Sequence, residues 1–283
     1  TLKGLFTGIT GMDFVFFQEG FPTEDSKSKT NKYTNFVGGP AANAAITYSL
    51  LGGKAQLVTA IGDSAIGLII KKELDNKFGV EVIDVMDGVS SDPFISTVSI
   101  NLLNGSRTIW SGQNSNYTPD NFHLNTNISD AGFCLSDCNL FKISQQVINL
   151  ACKSGIPVVL DAGSWKKEMD FYLKYTDFAI ASSQCKPSKF KDFFEAASHY
   201  KVKNIAVTDG KNEIKWKSGK MTGEILPPSA LAIDTLAAGD IFHGAFCFYK
   251  FCKNYDFERS LLMASVVAAQ STEYEGPVAW AGI

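Results

Sequence analysis

Asp240 stands in the run AIDTLAAGDIFHGAFCFYKF (232–251), behind three small residues, Ala237, Ala238 and Gly239, and ahead of an apolar helical period. Small residues at a helix start leave the first-turn amides uncovered, and those amides together with the helix dipole attract an anion. A carboxylate in the same turn is held ionised by the positive helix end. Beside an anion hole, an ionised carboxylate can take the proton of an attacking alcohol, which is how phosphoryl transfer to a hydroxyl is assisted. The plainer alternative is an Asp favoured in a first helical turn, with the small residues kept for packing. His243, one turn past Asp240 on the same face, reads as a structural histidine rather than a proton shuttle.

A second group lies near the start of the chain. Asp13 follows the strand-like run LFTGIT (5–10), and Gly38 and Gly39 precede PAANAAITYSLLGG, a helix with Pro40 in its first turn and Gly52-Gly53 as its stop. Glycines let backbone approach a ligand closely, Asn43 offers both a donor and an acceptor, and the Asp13 carboxylate can accept from two hydroxyls at once. A turn-forming Asp and a glycine N-cap with an inert helical Asn are the competing explanations.

The elements that must position these groups alternate. AQLVTAIG (55–62), IPVVLDAG (156–163), DFAIAS (177–182) and NIAVTD (204–209) read, like LFTGIT, as buried strands separated by helical patterns. Such alternation specifies a parallel sheet covered by helices on both faces, here a single α/β domain spanning 1–283. Residues 12–37 and 92–110 break the rhythm as hairpin-like strands, with a turn at Asn104-Gly105. In FISTVSINLL, Phe94, Val98, Ile100 and Leu102 fall on one face and Ile95, Thr97, Ser99 and Asn101 on the other, partly wet one. DFVFF is apolar on both faces. A small β-sheet lid, pairing with a second copy in a homodimer, would give it cover.

The bulk properties narrow the partners. A net charge of -3 and a pI near 5.7 give no general pull toward nucleic acid or anionic lipid, so a small molecule is the expected partner. No run approaches the length a membrane span needs, and a cytoplasmic protein is expected. Six cysteines without a Cys-x-x-Cys pair or zinc-like spacing read as reduced thiols.

DTLAAGD (234–240) resembles the DTxGAGD motif of the ribokinase (PfkB) family, and GGPAAN (38–43) resembles its GGxxxN motif. The resemblance covers nearly the whole chain. It looks closest to the ketohexokinase and sulfofructose kinase branch, through GITGMDFVFFQEGFPTE, NKYTNFVGGPAANAA, NGSRTIW and GDIFHGA. It implies a ribokinase-like three-layer αβα sandwich with a mostly parallel sheet and a β lid, carrying an ATP-dependent sugar kinase. By the same resemblance Asp240 is the base and Ala237, Ala238 and Gly239 form the anion hole. Asp13, Gly38, Gly39, Asn43 and Arg107 meet the sugar, Arg107 having as its alternative a solvated place after the Asn104-Gly105 turn.

For the nucleotide, Thr208 and Gly210 of VTDG match the family's Thr-x-Gly on the ATP phosphates, and Ala264, Ala268 and Ser271 would line the adenine pocket. A strand-to-hairpin turn and tight helix packing would use the same residues. Asp234 and the Thr235 backbone resemble a monovalent-cation site suited to K+, and Lys186 and Lys189 fall near the phosphate side. Two departures stand out. The family's magnesium-associated Asn-x-x-Glu is Ser182-Ser183-Gln184-Cys185, so Mg2+ would be held by ATP phosphates and water. Ala237 replaces a glycine, at a cost of about 1 kcal/mol if its φ is positive. A nucleoside kinase of the same fold and a catalytically weak sugar-binding or regulatory protein are the alternative functions.

Overall fold

The computed structural model describes residues 2–30, 32–103, 107–112, 122, 124, 128 and 130–282. In chain order its first half runs β1 (Lys3–Thr7), β2 (Gly11–Gln18), β3 (Lys32–Gly38), α1 (Pro40–Leu50), β4 (Lys54–Thr59), α2 (Ala65–Lys72), β5 (Val80–Asp84), β6 (Phe94–Asn101) and β7 (Arg107–Gly112). The second half runs β8 (Ala131–Ser136), α3 (Phe141–Lys153), β9 (Val158–Ala162), α4 (Met169–Lys174), β10 (Phe178–Ser182) and α5 (Phe193–His199). It ends with β11 (Asn204–Thr208), β12 (Ile214–Ser218), β13 (Met221–Ile225), α6 (Ala238–Cys247) and α7 (Phe257–Ser271).

Nine strands form one sheet in the order β13-β12-β11-β10-β9-β8-β1-β4-β5, parallel from β11 to β5, with β12 and β13 added antiparallel at one edge. The two-residue period of a strand sorts neighbouring side chains to opposite faces. Phe6, Leu57, Phe133 and Leu135 pack with residues of α1, α6 and α7, whereas Leu5, Val58, Cys134 and Val158 pack with α3, α4 and α5. The result is the ribokinase-like α/β fold that the sequence led us to expect. Among the described residues no helix is long and apolar enough to cross a membrane, and all six cysteines are free.

The lid is a separate four-stranded sheet, β3-β2-β6-β7. β2 pairs antiparallel with β3 and parallel with β6, and β6 pairs antiparallel with β7. The Asn104-Gly105 turn lies outside the described residues. Register puts Asp13, Ser96 and Ser111 in one row across β2, β6 and β7, followed by Val15, Val98 and Ile109, then Phe17, Ile100 and Arg107. On that face Val15, Phe17, Val98 and Ile100 are buried, with Phe36 and Leu236 packed against them. Leu236 belongs to the DTLAAGD run, so this face of the lid meets the catalytic turn. On the opposite face Ser99 is buried rather than wet, because Gln18 Nε2 donates to its Oγ.

Helices α1 and α6 are buried over most of their surface, Ala41 through Tyr48 and Ile241 through Cys247. That is the environment of a helix apolar on all sides. They cross tightly at Gly244, where an added Cβ would strike the Ala44 carbonyl. This crossing sets Asn43 and Asp240, each one turn or less from the contact, against one another.

Candidate active site

Asn43 Nδ2 donates to Asp240 Oδ2 at 2.8 Å, joining the double-glycine helix to the catalytic turn across 197 residues of sequence. Asn43 is buried, and its Oδ1 has no partner among the described residues. A buried acceptor without a donor is costly unless a ligand supplies one, so this amide is set up to receive a hydroxyl. Asp13 stands close by the double glycine. A side chain at Gly38 would run into the Asp13 carboxylate, and Gly39, with φ of 99°, starts α1 without any side-chain cap. Ser96 Oγ, the cross-strand neighbour of Asp13, donates to Asp13 Oδ1. Burial raises the Asp13 pKa and the Ser96 bond opposes that rise.

The cap that Gly39 lacks comes from a distance. Asp137, just past β8, accepts from Ala41 N at 3.2 Å and Ile9 N at 2.8 Å through Oδ2, and from Asn139 N at 2.8 Å through Oδ1. It therefore ties the start of α1 to the junction between β1 and β2. Asp161, in β9, is likewise buried, and its Oδ2 lies 3.4 Å from His243 Nδ1. Burial, then the neighbouring Asp137 charge, holds the Asp161 carboxyl well above the usual carboxylate range. Asp240 is pushed up to about 7, first by burial and then by the Asp161 charge, while Asn43 and His243 pull it down. Burial and the neighbouring carboxylates therefore oppose the helix end, which by position favours the ionised form.

The turn before Asp240 forms a cradle of open amides. Ala237 is the helix N-cap in a left-handed conformation, φ 59° and ψ 11°, and Asp234 staples the approach by accepting from Leu236 N at 2.8 Å and Gly276 N at 3.0 Å. Ala238 N is directed to Thr235 O at 3.3 Å, whereas the first-turn amides of Gly239 and Asp240 have no backbone acceptor outside the helix among the described residues. Open space surrounds the Gly239 Cα on its side-chain side. The strain at Ala237 has a measurable consequence: Ala237→Gly should raise stability by about 0.5–1 kcal/mol, because relief of the left-handed penalty outweighs the added chain entropy. Thermal melts of the two proteins check this.

The remaining sequence candidates are distributed around the sheet's C-terminal edge. Thr208 ends β11 with its Oγ1 on Ala181 O, and Gly210 follows at φ 58°. Of the three adenine candidates, Ala264 is fully buried in the core, Ser271 is buried with its Oγ on Ala268 O, and Ala268 alone keeps part of its surface open. Lys186 and Lys189 are exposed. Ser182 ends β10 and Ser183 and Gln184 follow it, none of them a carboxylate, and Cys185 is buried. Among the described residues the three carboxylates close enough to share an ion are Asp63, Asp84 and Asp87, and the Lys71 ammonium already fills their centre. Mg2+ would be held here by ATP phosphates and water.

Arg107 is in β7, opposite Ile100, and not in a turn. It shares the lid face with Asp13 but sits two rows further along, and Ser111 occupies the row of Asp13 and Ser96. Ser96, Asp137 and Asp161 are the site residues that sequence reasoning passed over. Asp161 and Asp137 each stand at the C-terminal end of a parallel strand, the place where open α/β sheets gather their ligands, and that position was the available signal. A cleft of about 400 Å³ lined by Phe194, Trp216 and Gly223 shares no residue with this cluster.

Comparison with known proteins agrees with the geometry. The chain is 24% identical over 290 residues to a deoxyribokinase of Salmonella typhi, covering 95% of this chain and 92% of the relative. It is 25% identical over 276 residues to a ribokinase of Bacillus subtilis (strain 168), covering 93% and 90%. The structure of an Arabidopsis thaliana ribokinase complexed with ribose and ATP superposes with a TM-score of 0.80 at 19% identity, covering 99% of this chain and 95% of that one. The sequence profile described as pfkB family carbohydrate kinase matches residues 3–280, and the chain belongs to that family.

Proposed function

We propose that this chain transfers the γ-phosphate of ATP to a hydroxyl of a sugar or keto-sugar. The observation that carries the reading is the Asn43–Asp240 hydrogen bond, which brings a hydroxyl-binding amide and a base together at the mouth of the anion cradle. Asp13 and the free Oδ1 of Asn43 accept hydroxyl hydrogens of the sugar and hold it. Asp240, ionised, takes the proton of the attacking hydroxyl as its oxygen moves to phosphorus. The Gly239 and Asp240 amides stabilise the charge on the phosphoryl oxygens, a fixed-dipole effect that grows toward the transition state. Magnesium carried by the nucleotide would neutralise phosphate charge. Thr208 and Gly210 stand on the ATP side, and Asp234 with Thr235 would hold a K+ near the cradle.

Two substrate readings compete within this mechanism. The lid motifs GITGMDFVFFQEGFPTE and NGSRTIW favour the ketohexokinase and sulfofructose kinase branch, whereas the named relatives are a deoxyribokinase and ribokinases. Assembly belongs to the same proposal: Phe21, Tyr33, Ile109 and Trp110 of the lid region are exposed, and a second copy pairing lid to lid in the cytosol would cover them. ADP release over a panel of pentoses, ketohexoses and nucleosides, with ATP and Mg2+, tests the function. Turnover with nucleosides and none with free sugars would overturn the sugar reading, and no ADP release with any member would overturn phosphotransfer itself.

A further inference from the structure

His243 is one turn along α6 from Asp240, and the phosphotransfer steps leave it unused. It is buried, and both ring nitrogens have protein neighbours. Nδ1 lies 2.7 Å from the Gly239 carbonyl oxygen and 3.4 Å from Asp161 Oδ2, while Nε2 lies 3.3 Å from the Ile180 carbonyl oxygen. Two of the three neighbours are backbone carbonyls, which can only accept, so the ring acts here as a donor. Burial lowers the His243 pKa, which leaves a neutral ring with one N–H. The shortest contact is where that hydrogen stabilises most, so the proton belongs on Nδ1, donated to Gly239 O.

That carbonyl is part of the Gly239–Asp240 peptide, whose N–H faces the anion cradle. Fixing the carbonyl fixes the plane of the peptide, because the amide is rigid. Gly239, with no side chain and open space around it, cannot supply this restraint by packing. The first turn of a helix leaves its N–H groups without intrahelical partners, so the Asp240 amide is aimed only through the carbonyl end of its own peptide.

We propose that His243 is a positioning residue for catalysis: through Nδ1–H it locks the Gly239–Asp240 peptide, and so aims both the cradle amide and the catalytic carboxylate. Asp161 of β9, 3.4 Å from the same nitrogen, and the buried setting of the ring hold it in place, so the turn is registered on the parallel sheet. The inference rests on the phosphotransfer reading for its kinetic consequence and on the hydrogen bond alone for its structural one.

Three substitutions separate the nitrogens. His243→Asn places an amide N–H where Nδ1 was, His243→Gln places one nearer Nε2, and His243→Leu keeps bulk without a donor. The measurements are kcat, the KM values for ATP and sugar, and hydrogen exchange of the peptide covering residues 236–242. We expect His243→Asn to keep parental kcat and exchange. His243→Gln and His243→Leu should lose about 100-fold in kcat, the scale of a misaimed catalytic group, with KM values unchanged and faster exchange of the Gly239 and Asp240 amides. A general packing role would instead lower melting temperature and activity together in all three. Parental kcat and exchange in His243→Gln, or equal losses in His243→Asn and His243→Gln, would overturn the proposal. Should His243→Leu fail to fold, the Asn and Gln pair still decides. Exchange is read without substrate, so a parent that releases no ADP would sink the phosphotransfer reading while the test of the Nδ1 bond remains readable.

Discussion

Asp240→Asn should lower kcat by about 100-fold to 10,000-fold, the range typical for removal of a general base, with the affinities for ATP and sugar nearly intact. The amide keeps the shape of the carboxylate and can still meet the Asn43 side chain, but it cannot accept the proton. The parent supplies its own control. Because the Asp240 carboxyl is pushed up to about 7, the fraction of enzyme able to act as base, and with it the rate, should climb as pH rises through that value. The same substitution should alter stability in the opposite sense. A carboxyl whose folded pKa is above its unfolded value of about 4 binds more protons when folded, so its contribution to stability falls as pH rises between the two values. Above pH 7 Asp240→Asn, with no charge to bury, should therefore melt higher than the parent. Turnover equal to the parent's across the pH range would remove Asp240 from the mechanism.

The second large effect is on the sugar side. Asp13→Ala should weaken apparent sugar affinity by about 10-fold to 150-fold, because a bond to a charged acceptor is worth about 1.5–3 kcal/mol. Ser96 already occupies Asp13 Oδ1, so Oδ2 carries most of the interaction with substrate. The affinity for ATP should hardly move, since Thr208 and Gly210 stand at the end of β11, four places along the sheet from the β1 strand that leads to Asp13. Calorimetric titration with the sugar and a non-hydrolysable ATP analogue separates the two. Loss of nucleotide binding with sugar binding intact would reverse the assignment of the two pockets.

The architecture was legible in the sequence wherever an element's pattern was local. Runs such as IPVVLDAG and DFAIAS are uniformly apolar because both faces of a parallel strand are covered, and they became β9 and β10. The β12–β13 hairpin was not, since KWKSGKMTGEI is mostly polar and only Trp216 and Ile225 of that run, with Ile214 before it, join the core. Within the site, Asp240, Asn43 and Asp13 were found because each is embedded in a motif with its own local signature. Asp137 was not, because its partners Ile9 and Ala41 lie 128 and 96 residues away, and nothing in SDCNL announces that a helix start elsewhere lacks a cap. Ser96 escaped for a simpler reason: the period that put Phe94, Val98 and Ile100 on one lid face also put Ser96 there, beside Asp13. Arg107 shows the limit of motif placement. Its alternative was a solvated place after the Asn104-Gly105 turn, but strand pairing with β6 continues through it.

The buried carboxyls have one more consequence, which belongs to calorimetry rather than kinetics. Asp137, Asp161 and Asp240 all have pKa values raised by burial, Asp240 to about 7, so near pH 6 the folded protein holds at Asp240 a proton that the unfolded chain gives up. Unfolding therefore hands protons to the buffer, and the heat measured includes the buffer's own heat of ionisation. A melt in an amine buffer, which takes up protons with a large release of heat, will report a smaller unfolding enthalpy than one in phosphate at the same pH and melting temperature. The difference counts the protons stored beneath the catalytic turn.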